Sequence, residues 1–253
     1  MDNFVEIVII ALLVLCGISI FFVTRTNEKA KLEKLRKEFS ANVSHELKTP
    51  LTTIYGYTDM MLNDMVKEED KPDFIRKIRN ESARMLELVE DIIRLSKWDE
   101  NAVQEESEEF DLYTLGSEVI DLLTQKANEK NVSLSIVGGV TAINANKRMI
   151  HEVLYNLIDN AIKYNKPNGS VRVSLSTQKN KTVIKITDTG IGIPQKYQNR
   201  VFERFFRIDK SRSKQTGGTG LGLSIVKHIV QHHKGDISIE SKEDIGTKVT
   251  VRI

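Results

Sequence analysis

Cysteine is nearly absent from this chain of 253 residues, which holds one, Cys16. A single cysteine excludes a disulfide framework and any cysteine-based zinc cluster. An excess of charge of either sign is also lacking, because 37 Lys and Arg residues face 35 Asp and Glu residues. The net charge of +2 gives no electrostatic case for a nucleic-acid partner. With 40% hydrophobic and 28% charged residues, the composition is that of a globular protein and excludes wholesale disorder.

A long hydrophobic run is present near the start, where residues 7–23 carry no charge. As a helix this run would be about 26 Å long, which is the short end of a membrane span. A secretory signal peptide would begin with basic residues and end at a small-residue cleavage site, and this segment does neither. A buried core helix is the alternative. We predict a retained transmembrane anchor over residues 1–24.

Basic residues follow this run and none precedes it. They are Arg25, Lys29, Lys31, Lys34, Arg36 and Lys37. The positive-inside rule then predicts a single-pass protein of the cell membrane, with a basic juxtamembrane linker at residues 25–36 and the rest of the chain in the cytoplasm. Only a few residues would remain outside, so we expect no extracellular domain in this chain.

Two amphipathic helices are predicted after the linker. Apolar residues recur at spacings of three and four between Leu32 and Ile54, and again between Ile75 and Ile92. Each helix has a narrow apolar stripe, which a single hairpin cannot bury. We therefore predict that residues 37–98 form an all-α helical hairpin that dimerises into a four-helix bundle.

The residue composition and the hydrophobic pattern change after the hairpin. Residues 99–111 hold seven acidic side chains and no basic one, so we assign residues 99–110 to an acidic linker. In residues 111–253 the helical and strand-like patterns segregate rather than alternate regularly. This arrangement predicts an α+β two-layer sandwich, with helices on one face of a mixed sheet.

The first candidate for chemistry is His45. It lies about 200° around the helix from the apolar stripe, so the imidazole faces solvent. Glu46 is its neighbour, and Thr49 lies one turn further on the same exposed side. A neutral imidazole is a competent nucleophile when a carboxylate accepts its proton. An ordinary surface histidine is the alternative reading of these residues.

Three further motifs suit a nucleotide. Asn156, Asn160 and Lys163 share one face of a predicted helix and offer oxygen ligands for Mg²⁺ with a cation for phosphate. Asp188 follows a strand and precedes two glycines, and its carboxylate can accept from the amine of adenine. The glycines of residues 217–222 precede a helix and can form an anion cradle. A solvated helix face, an Asx turn and a flexible loop are the respective alternatives.

Taken in order, these motifs resemble those of the sensor histidine kinases of bacterial two-component systems. The likeness is carried by an H box at residues 44–51, an N box at 156–164, a G1 box at 188–192, an F box at 202–207 and a G2 box at 218–223. The resemblance covers about residues 28–253. Typical members have a longer sensor region, whereas here the H box follows the predicted span within about twenty residues.

The resemblance implies a HisKA-type dimerisation domain and a Bergerat-type ATP-binding domain. Such a homodimer would autophosphorylate His45 from ATP and Mg²⁺ and pass the phosphoryl group to an aspartate of a response regulator. Glu46 would serve as the base, and Glu46 with Thr49 would position water for dephosphorylating the regulator. Asn160 would hold Mg²⁺ and Asp188 would recognise adenine.

The resemblance also implies the surroundings of the phosphates. Arg207 would stabilise the γ-phosphate, with Arg204 as the weaker candidate, and residues 195–219 would form a mobile lid. The other implied ATP-binding residues are Asn156, Lys163, Tyr164, Gly190, Gly192, Gly218, Gly220, Leu221 and Gly222. Sensing would occur within the membrane or through a partner membrane protein.

Other functions compete with this one. A gyrase- or chaperone-like ATPase would need a water-activating carboxylate where this chain has Asn156. An inactive nucleotide-binding scaffold would show a broken H or G2 box, and both are intact. A basic juxtamembrane binding module would explain residues 25–37 and nothing beyond them.

Overall fold

A computed structural model of the chain describes residues 37–99, 107–208 and 218–253, together with residues 25, 30, 33 and 34. The predicted anchor lies outside the described residues, as do most of the basic linker and the middle parts of the acidic linker and of the lid. No helix in the described part of the chain has the length and apolar character that a membrane span requires. The chain divides into two compact units, with the boundary after Ser82.

The first unit contains a helical hairpin, as predicted. Helix α1 covers residues 37–62, and a short 3₁₀ helix at Glu68–Asp70 leads into α2 at Lys71–Asp99. The hairpin is tied near its turn by an edge-to-face contact between Tyr57 and Phe74, whose ring centroids lie 5.1 Å apart. Only the first turns of α2 belong to this unit.

The second unit begins within α2 and continues through an α/β domain. Its helices are α3 (Leu112–Glu129), α4 (Lys147–Lys163), α5 (Gln195–Gln198) and α6 (Gly222–His232). Its strands are β1 (Glu108–Asp111), β2 (Ser133–Val137), β3 (Ala142–Ala145), β4 (Ser170–Gln178), β5 (Lys181–Asp188), β6 (Asp236–Lys242) and β7 (Gly246–Arg252).

A helical layer packs on a five-stranded sheet. The strand order is β2-β4-β5-β7-β6, in which β2 and β4 are parallel and the neighbouring pairs beyond them are antiparallel. Helix α4 packs between α3 and α6 and also contacts β4 and β5. The buried side chains alternate along β4, where Val171, Val173 and Leu175 are buried. The predicted two-layer arrangement of helices on a mixed sheet is therefore confirmed.

A second, two-stranded sheet was not predicted. Strand β1 pairs antiparallel with β3, so residues 108–110, which we assigned to the acidic linker, belong to a strand. Four-residue strands are too short to show a reliable alternation, and the glutamates of β1 favour a loop. Asp111 ends this strand and caps α3, where its side chain accepts hydrogen bonds from the backbone N–H groups of Tyr113, Thr114 and Thr141.

We predict that Asp111→Ala lowers the melting temperature, because these N–H groups lose their acceptor. Hydrogen bonds from the Thr114 hydroxyl and from backbone N–H groups lower the pKa of Asp111 from 3.8 to about 2. The ionised carboxylate therefore stabilises the fold above pH 3.8, and this contribution is lost as the pH falls towards 2. Thermal unfolding followed by circular dichroism should show the difference between wild type and variant shrinking over that window. Asp121→Ala, an exposed change on the same helix, is the control, and a difference independent of pH would contradict the prediction.

Candidate active site

His45 is exposed on α1, where the helical periodicity placed it. About 73% of its side chain is accessible, against 19% for Glu46. The Nδ1 atom of His45 lies 3.9 Å from Oε1 of Glu46, within reach of a small side-chain rotation. Thr49 is also exposed, and its hydroxyl donates to the carbonyl of His45 at 3.2 Å. The three side chains thus form one accessible group with a nucleophile, an acid–base group and a hydroxyl.

Helix α4 carries the residues of the N box. Its first turn is capped by Asn146, whose side chain accepts from the N–H of Met149 at 2.9 Å. One face is buried against the other helices and the sheet, and its residues are Met149, Ile150, Val153, Leu154, Leu157, Ile158, Ala161 and Ile162. Asn156, Asn160 and Lys163 lie on the partly exposed side. Packing of the apolar face therefore fixes the direction of these polar side chains.

The glycines of the G2 box lie directly against this polar side of α4. A Cβ atom added to Gly222 would lie 2.7 Å from Oδ1 of Asn156, and one added to Gly218 would lie 2.9 Å from Nζ of Lys163. Gly218 is also close to the hydroxyl of Tyr164. Glycine at these positions lets the loop lie directly against the polar side chains of α4, so the loop and α4 together form one site.

Asp188 closes the opposite end of the site. It is the last residue of β5, and its Oδ1 accepts from the N–H groups of Gly190 at 2.8 Å and Thr247 at 3.2 Å. Burial raises the pKa of this carboxyl, and the two hydrogen bonds oppose that effect. Gly190 packs on the carbonyl of Tyr164, while Gly192 has a φ of +69°. The G1 loop is thereby joined to the end of α4.

Two basic side chains, those of Lys163 and Arg207, lie beside the glycine loop. Burial lowers the pKa of Lys163, while Glu87 and Asp159 raise it, and the charge of Arg207 lowers it. The Nε and Nη2 atoms of Arg207 are buried, and its side chain lies next to Gly220, which has a φ of +73°. Partial burial raises the pKa of the Tyr164 hydroxyl. Two cations beside backbone N–H groups suit a ligand with several phosphate charges.

The residues present also fit a magnesium ion. The described residues contain no group of three or more His, Cys, Asp or Glu side chains that could hold a metal alone. Magnesium is commonly held by one or two protein oxygens together with substrate phosphates and water. The side-chain amide of Asn160, which carries such an oxygen, lies beside the glycine loop, with Nδ2 3.6 Å from a Cβ atom added to Gly222. The Nδ2 atom of Asn156 donates to the carbonyl of Glu152 at 2.9 Å, which leaves the Oδ1 atom towards Gly222.

Sequence reasoning missed several residues of this site. Glu152 lies one turn before Asn156 and forms an ion pair with Arg94 of α2 at 3.2 Å. Thr219 and Asp91 are joined by a hydrogen bond although 128 positions separate them in the chain. Thr247 also belongs to the site, because its backbone N–H donates to Asp188. The i, i+4 spacing of Glu152 and Asn156 could have indicated the hydrogen bond between these two side chains, whereas no local pattern indicates the contacts between distant residues.

Two family models match the chain in the order of its two domains. The His Kinase A (phospho-acceptor) domain matches residues 35–101, and the histidine kinase-, DNA gyrase B- and HSP90-like ATPase matches residues 145–253. The sensor histidine kinase WalK of Bacillus subtilis (strain 168) is 38% identical over 228 residues, which are 88% of this chain and 37% of that protein. A Staphylococcus aureus sensor protein kinase WalK is 36% identical over 89% of this chain and 55% of its own length. The chain thus spans about half or less of these relatives.

Solved structures show the same fold. The Acinetobacter baumannii histidine kinase AdeS has a TM-score of 0.68 and 25% identity, and the match covers 83% of this chain and 96% of that one. Histidine kinase ThkA in complex with the response regulator protein TrrA has a TM-score of 0.68 and 27% identity over 85% of this chain and 60% of that one. The two family models together match more than half of the chain, and both domains are present in the order that the motifs indicate. The chain therefore belongs to the sensor histidine kinases of two-component systems.

Proposed function

We propose that the protein is an ATP-dependent protein-histidine kinase that phosphorylates His45. The observation that carries the proposal is the convergence of Asp188, the polar side of α4 and the glycine loop in one site. These groups combine a half-buried acceptor for the adenine amine with cations and backbone donors for phosphates. The exposed imidazole of His45 supplies the nucleophile that such a site requires.

In the proposed reaction a ring nitrogen of His45 attacks the γ-phosphorus of ATP, and the bond to the bridging oxygen breaks so that ADP leaves. Glu46 lies nearest to Nδ1, so Nε2 is the attacking atom and Glu46 receives the Nδ1 proton. Bound Mg²⁺, held by Asn160, would neutralise charge on the phosphates. Lys163 and Arg207 stabilise the charge of the transferring group.

The remaining residues of the site bind the nucleotide. Asp188 accepts from the exocyclic amine of adenine, and Asn156 and Tyr164 lie beside the phosphates and the ribose. The backbone donors around the phosphates belong to Gly218, Gly220, Leu221 and Gly222, with Gly190 and Gly192 admitting the base.

The phosphoryl group then passes to an aspartate of a response regulator, a partner class supported by the ThkA relative, whose structure contains one. The HisKA match supports a homodimer formed through the hairpin. Residues 1–24 would anchor the protein in the cell membrane with the catalytic part in the cytoplasm, and a partner membrane protein would supply the stimulus.

A hydrolytic ATPase of the same superfamily is less well supported. Such an enzyme needs a carboxylate that activates water. Asn156 is an amide, and the nearby carboxylate of Glu152 is engaged by Arg94. His45 would also have no part in that reaction.

We expect the purified chain to label itself from γ-³²P-ATP through an acid-labile, base-stable bond. His45→Gln should reduce the label to background and leave ATP binding unchanged, because the phosphoacceptor and the nucleotide site lie in different units. Labelling is followed by electrophoresis, and ATP binding is followed by titration calorimetry. Label retained by His45→Gln would show that another residue accepts the phosphoryl group. His151→Gln, on α4, is the control and should keep the label.

The proposed roles of Asp188 at adenine and of Asn160 at the metal can be tested separately. Asp188→Asn replaces an acceptor by a group that also donates, so we expect the affinity for ATP to fall about tenfold or more. Asn160→Asp should instead alter the metal dependence, and replacing Mg²⁺ by Mn²⁺ should restore part of the activity. Calorimetry with each metal separates the two effects. Wild-type ATP affinity in Asp188→Asn would refute the adenine assignment.

Thr49 and Glu46 should separate two activities. Alanine is the better helix former, so Thr49→Ala should fold normally and keep autophosphorylation. It should lose much of its ability to dephosphorylate the regulator, because the hydroxyl that holds water is gone. Glu46→Ala should lower autophosphorylation itself, since the proton acceptor is missing. A labelling time course and the decay of phospho-regulator with ADP measure both. If Thr49→Ala were as inactive as His45→Gln in labelling, the division of roles would be wrong.

A further inference from the structure

Asp91 is a carboxylate on the buried stripe of α2. It lies between Leu88 and Leu95 on that stripe, and these leucines are only 5% and 1% exposed. Burial raises the pKa of Asp91, and its hydrogen bond to Thr219 opposes the effect. Such a position normally carries an apolar residue, so the carboxylate needs a specific partner.

That partner is Thr219 of the glycine loop, which belongs to the same unit. The Thr219 hydroxyl donates to Oδ2 of Asp91 at 2.6 Å. The hydroxyl oxygen of Thr219 in turn accepts from the N–H of Leu221 at 3.2 Å. The Leu221 N–H, one of the donors proposed for phosphate, is therefore engaged by a hydroxyl that is itself held by a carboxylate.

A second contact ties α2 to the nucleotide site. Arg94 lies one turn beyond Asp91, and its Nη1 pairs with Oε2 of Glu152 at 3.2 Å. Glu152 in turn receives hydrogen bonds from the side chain of Asn156. The two ties fix this part of α2 against both the glycine loop and α4.

The carboxylate of Asp91 also stands within the electrostatic range of Lys163, whose charge favours its ionised form. Lys163 is one of the cations proposed to bind the ATP phosphates. Asp91 therefore places a negative charge where the proposed ligand brings several of its own. Charges of the same sign in a partly buried site repel strongly because water screens them poorly.

We propose that Asp91 is an internal anion that holds the phosphate-binding loop through Thr219 and opposes the binding of the triphosphate. This inference rests on the proposed function, since it concerns the regulation of that ATP site. Movement of α2 away from Thr219 frees the Thr219 hydroxyl from the carboxylate and removes the competing charge. By linkage, ATP weakens the contact between Asp91 and Thr219 by the same factor.

The test compares ATP with adenosine, which lacks phosphates. Asp91→Asn keeps an oxygen acceptor for Thr219 and removes the charge, while Asp91→Ala removes both. Calorimetry on the full chain should show ATP affinity about tenfold higher in both variants, and adenosine affinity unchanged. Glu90→Gln removes a charge from the next residue of α2, where the side chain is 66% exposed. It should change ATP affinity less than twofold, because exposed charges are screened.

The outcomes separate the inference from the proposed function. ATP affinity that is unchanged or lower in both Asp91 variants would overturn the inference and make Asp91 a supporting residue of the loop. An equal gain for ATP and adenosine would also overturn it, because general loosening of the site would then be the cause. A wild-type chain that binds neither nucleotide would refute the proposed function itself. Thermal melts of each variant verify that folding is retained.

Discussion

The proposed nucleotide site depends on a half-buried carboxylate that is held by backbone donors. Asp188 ends β5, a strand that pairs on both sides, and its Oδ1 accepts from the N–H groups of Gly190 and Thr247. Burying a carboxylate without such donors is costly, so the G1 loop and the turn before β7 must both take positions that satisfy it. Gly246 makes this possible, because a Cβ there would lie 2.0 Å from the Asp188 carbonyl oxygen. One end of the site is thus set by the sheet rather than by loops.

The other end is set by the division of α4 into two faces. The apolar face packs the helix among α3, α6 and the sheet. Lys130, the residue that follows α3, adds a hydrogen bond from its Nζ to the carbonyl oxygen of Lys163 at the end of α4, at 2.7 Å. A helix held in this way presents Asn156 and Asn160 to the glycine loop in one fixed arrangement. The glycines supply the complementary half, because a Cβ atom at Gly218 or Gly222 would crowd the side chains of Lys163 or Asn156.

Much of this could be predicted from the sequence. Helical periodicity predicted α1 and α2 with the exposed His45, and it predicted α4 with its polar face. A helix that buries one face has apolar residues at regular spacings of three and four. The β1–β3 pair was missed because a strand of four residues is too short to show a clear alternation of apolar and polar residues. The bond between Asp91 and Thr219 was missed for a different reason. Periodicity indicates which face of a helix is buried, but it does not indicate which distant polar group a side chain on that face will contact.

The position of β7 in the sheet affects how the domain folds during synthesis of the chain. This strand follows all the others in chain order, yet it lies between β5 and β6 in the sheet. A nascent chain that still lacks residues 246–252 has an unpaired edge on β5 and no Thr247 N–H for Asp188. The helical hairpin is made of contiguous residues that precede the sheet in the chain, so its contacts are local and form earlier. The hairpin proposed to form the dimer is therefore complete in the growing chain before the proposed ATP site is.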